Sequence, residues 1–320
     1  MTFYDIFNGD ADGLCALQQL RLAQPQSSVL ITGVKRDIAL VQQVRAASGD
    51  SLTVLDISMH ENRAAVLAQL DAGAQCIYFD HHFAGDIPLH PQLETHIHYA
   101  PGTCTSLIVD GYLCGAFRAW AVVGAYGDNL ALQAGRLAVN LKLPAEALDN
   151  LRVLGECLNY NAYGDSLEDL HFNPAELFAR LHRFADPQDF IRHDSVFDTL
   201  RTHYESDFAR ISDSRVLLDT ASHYAIVLPD TAWARRVNGP WANRLVAQFP
   251  QRAHAVLVTR GNTYRVSIRA PAAHPVGADQ LCAQFPSGGG RPAAAGINAL
   301  PTDRLAALCA AFESAFASQP

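Results

Sequence analysis

The fold of this chain is constrained most by three strand-like apolar runs, each of which ends abruptly in acidic or imidazole side chains. Residues 76–79 are followed directly by Asp80, His81 and His82. Residues 52–55 are followed by Asp56, and residues 4–7 lead into the sequence Asn8-Gly9-Asp10-Ala11-Asp12-Gly13. The carboxyl ends of the strands in an open α/β sheet line its ligand crevice. The three endings are therefore expected to meet at one edge of a sheet.

Alternating strand and helix patterns support such a sheet. Helical periodicity at 14–23, 37–47 and 60–72 separates strand-like runs at 4–7, 29–32, 52–55 and 75–79. Repeated β-α-β units predict a parallel sheet covered by helices. From residue 105 to about 215 the pattern is mostly helical, and Asn173 and Asp186 each precede a proline as an N-cap does.

A second α/β pattern begins near residue 224. Strands are predicted at 225–228, 255–259 and 264–269, with a helix at 239–248. The chain is therefore expected to be an α/β protein with an N-terminal parallel-sheet domain, a helical connector and a smaller C-terminal α/β domain, at 1–140, 141–215 and 216–320.

Composition and net charge limit the classes of binding partner that are expected. The chain has 320 residues, 49% of them hydrophobic, and a net charge of −8. Proteins that hold long nucleic acid usually carry a basic stripe, so a small ligand bound by a few local cations is favoured. The seven scattered cysteines lack zinc-site spacing and are expected to be buried apolar residues. No apolar run is long enough to span a membrane and no signal segment precedes Tyr4, which favours a cytoplasmic protein without a membrane partner.

The acidic and imidazole endings suit metal ions. Asp80, His81 and His82 have no packing reason to follow a buried strand, and carboxylate with imidazole suits Mn²⁺ or another first-row divalent ion. Asp10 and Asp12, two residues apart, can face one site; alternatively they form a turn that caps the next helix.

Two further acids extend the set. Asp56 follows its strand at a position that fits either a metal ligand or the N-cap of the following helix. Asp128 ends an apolar helix, where a carboxylate is disfavoured unless a cation is bound, or else it is simply solvated. With the Asn8 amide, these residues are enough for two ions, which typically lie about 3.5–4 Å apart, and Asp56 is the expected bridging ligand. Mn²⁺ is the expected metal, with Mg²⁺ and Co²⁺ as alternatives.

These motifs resemble the DHH phosphoesterase superfamily. The family's His-x-Asp-x-Asp-Gly motif is represented by residues 8–13, its lone Asp by Asp56, and its Asp-His-His by residues 80–82. Asp128 matches the acid after a glycine-containing helix. The Gly-Gly-Gly-His-x-x-Ala-Ala-Gly and Ser-x-Arg signatures of the C-terminal DHH-associated domain resemble residues 288–296 and 267–269.

The resemblance implies a Mn²⁺-dependent phosphoesterase with its active site in a cleft between two domains. It implies that Asp10 binds one ion, that Asp12, His81 and Asp128 bind the other, and that Asp56 lies between them. His82, next to Asp80, is expected to contact the scissile phosphate or to orient a ligand. Relatives often dimerise, so a homodimer is one expected state.

Two residues depart from the family motifs, one at the metal site and one at the expected substrate site. Asn8 replaces the usual His, and its amide binds Mn²⁺ more weakly than imidazole or only positions water. Arg291 replaces the His after the glycines, and it can fork onto phosphate or onto guanine, or else lie on the surface.

Other candidate substrate contacts are less specific. Ser267, Arg269, Gly288, Gly289 and Gly290 come with the family signatures, although the glycine run alone also fits a plain turn. Ser106, near Thr103 and Thr105, fits either a phosphate cradle or an ordinary helix cap. Lys35 and Arg36 are expected either to contact phosphate or to be solvated, and Arg235 and Arg236 to be surface charges.

The leading function is a two-metal phosphodiesterase that hydrolyses short linear dinucleotides such as pGpG to 5'-mononucleotides. The same chemistry on cyclic di-AMP, 3'-phosphoadenosine phosphate or single-stranded oligonucleotide ends is the alternative. A non-catalytic nucleotide-binding module is the alternative of another class, and it predicts nucleotide binding without metal-dependent turnover.

Overall fold

The computed structural model describes residues 1–317, which divide into two compact units. The first unit is Met1–Thr202 and the second begins at His203. Both units combine helices with a β-sheet, so the α/β class predicted from the sequence is confirmed. Within residues 1–317, no helix is long and apolar enough to cross a membrane.

The sheet of the first unit is parallel throughout, as the β-α-β pattern predicts. Its strand order is β2-β1-β3-β4-β5, so β3 is central. The strands are β1 (Phe3–Phe7), β2 (Val29–Ile31), β3 (Ser51–Leu55), β4 (Gln75–Asp80) and β5 (Leu93–Ile97).

The helices predicted at 14–23 and 60–72 form at Ala11–Ala23 and Met59–Asp71, and the following region is mostly helical as expected. Asn173 and Asp186 do cap helices, because their side chains accept hydrogen bonds from Ala175 N at 2.9 Å and Gln188 N at 2.8 Å. The unit boundary falls within the last helix. The helices are α1 (Ala11–Ala23), α2 (Met59–Asp71), α3 (Thr105–Tyr112), α4 (Arg118–Gly127), α5 (Ala131–Ala138), α6 (Ala145–Ala162), α7 (Pro174–Leu181), α8 (Pro187–His193) and α9 (Val196–Ala209).

The helix predicted at 37–47 is wrong. Only a short 3₁₀ turn, Leu40–Gln43, forms there. The side chains of Asn62 and Gln69 on α2 bond the backbone N–H groups of Val41 and Ala46, at 3.2 and 2.8 Å. Because α2 satisfies the backbone of this segment, a helix is not needed to do so.

The second unit contains a mixed sheet in the order β10-β11-β9-β8-β7-β6. Only the β7–β8 pair is parallel. Its core packs one face of this sheet against two C-terminal helices. The elements are β6 (Arg215–Asp219), β7 (His223–Leu228), α10 (Ala232–Gln248), β8 (Ala253–Arg260), β9 (Thr263–Arg269), α11 (Ala278–Cys282), β10 (Gly288–Arg291), β11 (Ala294–Pro301) and α12 (Leu305–Ala315).

The structure bears on one alternative and one expectation for this unit. The glycine run, for which a plain turn is the alternative, forms strand β10, paired with β11. Arg236 is not a surface charge, because it is 8% exposed and its Nε and Nη2 donate to Asp207 at 3.0 and 2.7 Å. A buried arginine requires such a carboxylate partner.

The cysteines largely follow expectation. Five of the seven are buried, whereas Cys114 is exposed and Cys309 is intermediate. All seven are free thiols, in agreement with the absence of paired spacing in the sequence.

Candidate metal centre

The carboxyl edge of the parallel sheet brings the predicted ligands together. Asn8 N donates to Leu55 O at 3.2 Å, and Asp56 N donates to Phe79 O at 3.0 Å. The residues that follow β1 and β3 therefore stand level with Asp80 at the end of β4. This geometry follows directly from parallel pairing, since all carboxyl ends lie on one side.

Asp56 occupies the centre of this edge in an unusual conformation. Its φ is +60°, in the left-handed region, which non-glycine residues seldom adopt and which is often found at functional sites. Its Oδ1 accepts a hydrogen bond from Thr105 Oγ1 at 2.9 Å. Burial raises the pKa of Asp56 well above its usual range, and the charges of Asp12 and Asp10 raise it further.

Asp12 is held by the start of α3. Its carboxylate accepts hydrogen bonds from the backbone N–H groups of Thr105 and Ser106, both at 2.7 Å, and from the Ser106 hydroxyl. The helix N-terminus thus fixes a carboxylate of the protein. Ser106, expected to contact substrate, is fully buried against Asp12.

His81 faces both Asp56 and Asp128. Its Nε2 lies 3.5 Å from Asp56 Oδ1 and 3.9 Å from Asp128 Oδ2. Asp128 is the residue that ends α4, as predicted. Burial raises the pKa of Asp128 to about 6, opposed by the charge of Lys35. The carboxylates here repel one another in the metal-free protein.

Asp80 and His82 form a separate pair beside this cluster. His82 Nδ1 lies 2.7 Å from Asp80 Oδ1 and 4.0 Å from Asp56 Oδ1. Asp80 is fully buried, and within residues 1–317 its Oδ2 has no hydrogen-bond partner. A buried carboxylate on Nδ1 fixes the orientation of the ring.

Asn8, Asp10 and Lys35 make a third group. Asp10 Oδ1 caps α1 by accepting from Asp12 N and Gly13 N at 3.0 and 3.1 Å. Its other oxygen contacts the Lys35 ammonium. Burial raises the pKa of Asp10, but Lys35 outweighs this and holds it below the usual value. Burial lowers the pKa of Lys35, but Asp10 raises it well above its usual value.

The donor atoms form two groups of three, each able to hold a divalent cation, and both groups include His81. Single atoms of Asp12, His81 and Asp128 lie within 4.8 Å of one another, and so do atoms of Asp56, His81 and His82. Carboxylate and imidazole are suitable ligands for Mn²⁺, and a cation there would relieve the repulsion that raises the Asp56 pKa. The residues that could hold an ion are therefore Asp12, Asp56, His81, His82 and Asp128; the Nδ1 of His82 is already paired with Asp80.

Sequence reasoning missed two residues that support the site. Asn159 lies near the end of α6, and its Oδ1 accepts from Lys35 Nζ at 3.1 Å. The sequence predicts Thr105 only as a helix cap or phosphate contact, whereas its hydroxyl donates to Asp56 Oδ1. Arg36, a candidate substrate contact, pairs with Asp165 at 3.3 Å.

Thr105→Val is expected to weaken Mn²⁺ binding about 10- to 100-fold, the usual effect of losing a partner that orients a metal ligand. Valine keeps the shape of threonine but cannot donate to Asp56. Isothermal titration of the metal-free protein measures the change. Thr103→Val is the matched control and should bind Mn²⁺ as the wild type does; equal affinity in both variants would contradict the role of Thr105.

The candidates in the second unit share one face of its sheet. Ser267 and Arg269 alternate on β9, so both point to the same side. Arg269 is opposite Ala294, which is opposite Arg291. Two strand spacings put the Arg269 and Arg291 backbones roughly 10 Å apart. Arg269 Nε also donates to Asn243 of α10 at 3.0 Å.

The glycines of this sheet edge have different surroundings. Gly296 lies between Ser267 and Gly289 in the same register row. A side chain at Gly289 would meet open space, whereas one at Gly288 would meet the Cys282 carbonyl group. Gly290 has a φ of +145° and a side chain there would clash with Ala295.

A cavity of about 540 Å³ on the second unit was not anticipated. It is lined by Arg235, Arg260 and Arg265, with Asp230 as its acidic member. Arg265 points to the same face of β9 as Ser267 and Arg269. Burial, followed by the charge of Arg265, lowers the pKa of Arg260. This excess of positive charge suits an anionic ligand.

No family model and no curated protein matches the chain. Solved structures match over nearly its whole length. Exonuclease RecJ bound to manganese is 18% identical, with a TM-score of 0.62 over 100% of this chain and 91% of that one. The pGpG-specific phosphodiesterase PggH from Vibrio cholerae is 13% identical, with a TM-score of 0.63 over all of both chains.

A third matching structure is itself described as a DHH domain. It is the DHH domain of a member of the s1p family of ribosomal proteins, 11% identical, with a TM-score of 0.62 over 98% of this chain and 86% of that one. These likenesses extend over both units, including the sheet whose edge carries Asp80, His81 and His82. The chain therefore has the fold of the DHH-domain proteins.

Proposed function

We propose that this protein is a metal-dependent phosphoesterase of the DHH superfamily. The observation that carries the proposal is the convergence of Asp12, Asp56, His81 and Asp128 at one sheet edge. The fold likeness to RecJ and to a pGpG phosphodiesterase supports the same chemistry. A purely structural role leaves unexplained why mutually repelling carboxylates are buried together.

The residues divide the work as follows. A bound divalent ion supplies Lewis-acid polarisation of a phosphoryl oxygen and a water of lowered pKa. Asp12, held by α3, and Asp56, held by Thr105, fix the position of the ligand oxygens. Asp80 orients His82, whose proposed role is to hydrogen-bond the scissile phosphate or to protonate the leaving oxygen.

The proposed substrate is a short linear dinucleotide such as pGpG, and the proposed metal is Mn²⁺. The match to the Vibrio cholerae enzyme is one support. The arginines on one face of the second unit are another, because guanidinium groups fork onto phosphate and onto guanine. The net charge of −8 favours such a short substrate over long nucleic acid.

The experiment is hydrolysis by the purified protein with Mn²⁺, followed by chromatography. The panel contains pGpG, pApA, a short RNA, cyclic di-AMP, cyclic di-GMP, 3'-phosphoadenosine phosphate and polyphosphate, with His81→Ala as the inactive control. Faster conversion of pGpG to GMP than of the other substrates supports the proposal. Turnover of only another substrate would support the proposed phosphoester hydrolysis and refute pGpG as the substrate. Nucleotide binding without turnover would favour a binding module.

Arg291→Ala is expected to raise KM for pGpG about tenfold with little change in kcat, as loss of one charge-assisted contact of about 1.4 kcal/mol predicts. Arg304→Ala, at the start of α12, is the matched control. Steady-state kinetics on pGpG and pApA measure both KM and base preference. Unchanged values for both substrates would place Arg291 outside the binding site.

A further inference from the structure

The Asn8 side chain is engaged by the backbone at both ends of its amide. Its Oδ1 accepts from Asp10 N at 3.2 Å and its Nδ2 donates to the Lys35 carbonyl oxygen at 3.1 Å. Rotating the amide by half a turn would set donor against donor and acceptor against acceptor. The orientation is therefore determined by the backbone, and Asn8 is 4% exposed.

Asp10 is similarly engaged. Both acceptor sites of Oδ1 are filled by the N–H groups that begin α1, from Asp12 and Gly13. The remaining oxygen, Oδ2, contacts the ammonium group of Lys35. An ion bound to Oδ2 would stand beside that positive charge and be repelled by it.

Lys35 is held in place by more than Asp10. Its Nζ donates to Asn159 Oδ1 at 3.1 Å and lies 5.6 Å from the centre of the Tyr163 ring. Its side chain is 28% exposed. A carboxylate, an amide oxygen and an aromatic face are together a site for a compact cation.

We propose that the ammonium group of Lys35 takes the place of one of the two divalent ions, so that the protein binds a single ion at Asp12, Asp56, His81 and Asp128. The inference rests on the proposed metal dependence and corrects the expectation of two ions. It also accounts for Asn8, since a position without an ion needs no imidazole ligand.

The first test is the stoichiometry of Mn²⁺ on the metal-free full-length protein, by isothermal titration and by metal analysis after gel filtration. We expect one Mn²⁺ per chain. The electron paramagnetic resonance spectrum should be that of an isolated Mn²⁺ ion, without exchange coupling. Two ions per chain, a coupled spectrum or no bound ion would each overturn the proposal, and none of these measurements requires a variant.

The second test removes the ammonium group. Lys35→Met keeps the apolar stem, and we expect it to bind two Mn²⁺ ions with a coupled spectrum. Lys35→Arg retains a cation and should bind one, as should Lys142→Met, the same change at an exposed position. A Lys35→Met protein that binds one ion would refute the substitution of ion by ammonium.

The outcome is separable from that of the proposed function. One bound Mn²⁺ without hydrolysis of any substrate would refute the proposed phosphoesterase activity and support the single-ion site. Two bound ions with rapid hydrolysis would support the activity and refute the single-ion site.

Discussion

Asp56→Asn is expected to lower kcat/KM by about 10³-fold or more and yet to stabilise the metal-free protein. Asparagine lacks the charge that a divalent cation requires, and several kcal/mol of transition-state stabilisation depend on that cation. The same charge destabilises the metal-free fold, because Asp56 is buried beside Asp10 and Asp12. Asparagine still accepts from Thr105 and tolerates a φ of +60°.

The measurement combines steady-state kinetics with thermal unfolding of the metal-free protein. Each kcal/mol of repulsion removed should raise the midpoint by about 2–4 °C. Asp86→Asn makes the same change at an exposed position and should alter neither quantity. A variant that loses activity and also melts earlier than the wild type would indicate general misfolding instead.

The sequence predicted the sheet edge because that edge depends on local patterns alone. Short apolar runs separated by helical periodicity specify a parallel sheet, and parallel strands place their carboxyl ends together. The positions of Asp12, Asp56, His81 and Asp128 at one site therefore follow from a few short motifs. Their roles as ligands remain predictions until an ion is bound.

The supporting contacts could not be predicted because they join distant parts of the chain. Thr105 is 49 residues from Asp56, and Asn159 is 124 residues from Lys35. Nothing in the local pattern around Asn159 distinguishes it from a polar loop residue. The left-handed conformation of Asp56 is equally invisible, because aspartate also occurs in ordinary turns.

Tertiary contacts also overruled local propensity. The 37–47 segment has helical periodicity, but the side chains of Asn62 and Gln69 on α2 satisfy its backbone without a helix. The run at 288–291 reads as a turn because it is rich in glycine. It becomes a strand because β11 supplies the hydrogen-bonding partners.

Mn²⁺ is expected to stabilise the protein strongly at pH 7.5 and hardly at all at pH 5. Burial raises the pKa of Asp128 from 3.8 to about 6 in the metal-free fold. A raised carboxyl pKa means that the folded protein holds its proton more tightly than the unfolded chain. The stability that Asp128 contributes to the metal-free fold is therefore fully present below pH 3.8 and is lost as pH rises through about 6. For Asp128 alone this loss is about 3 kcal/mol, and Asp56 acts in the same direction.

A bound ion reverses the pH dependence of stability, because it binds the ionised carboxylates and competes with protons. At about 100 times its dissociation constant, a ligand stabilises the folded state by about 2.7 kcal/mol. The thermal midpoint should then rise by about 5–10 °C at pH 7.5. Differential scanning calorimetry with and without Mn²⁺ at several pH values measures it. His81→Ala should remove the shift and Asp86→Asn should retain it. A shift of equal size at pH 5 would place the ion elsewhere, because only binding to these buried carboxylates couples the metal to their protonation.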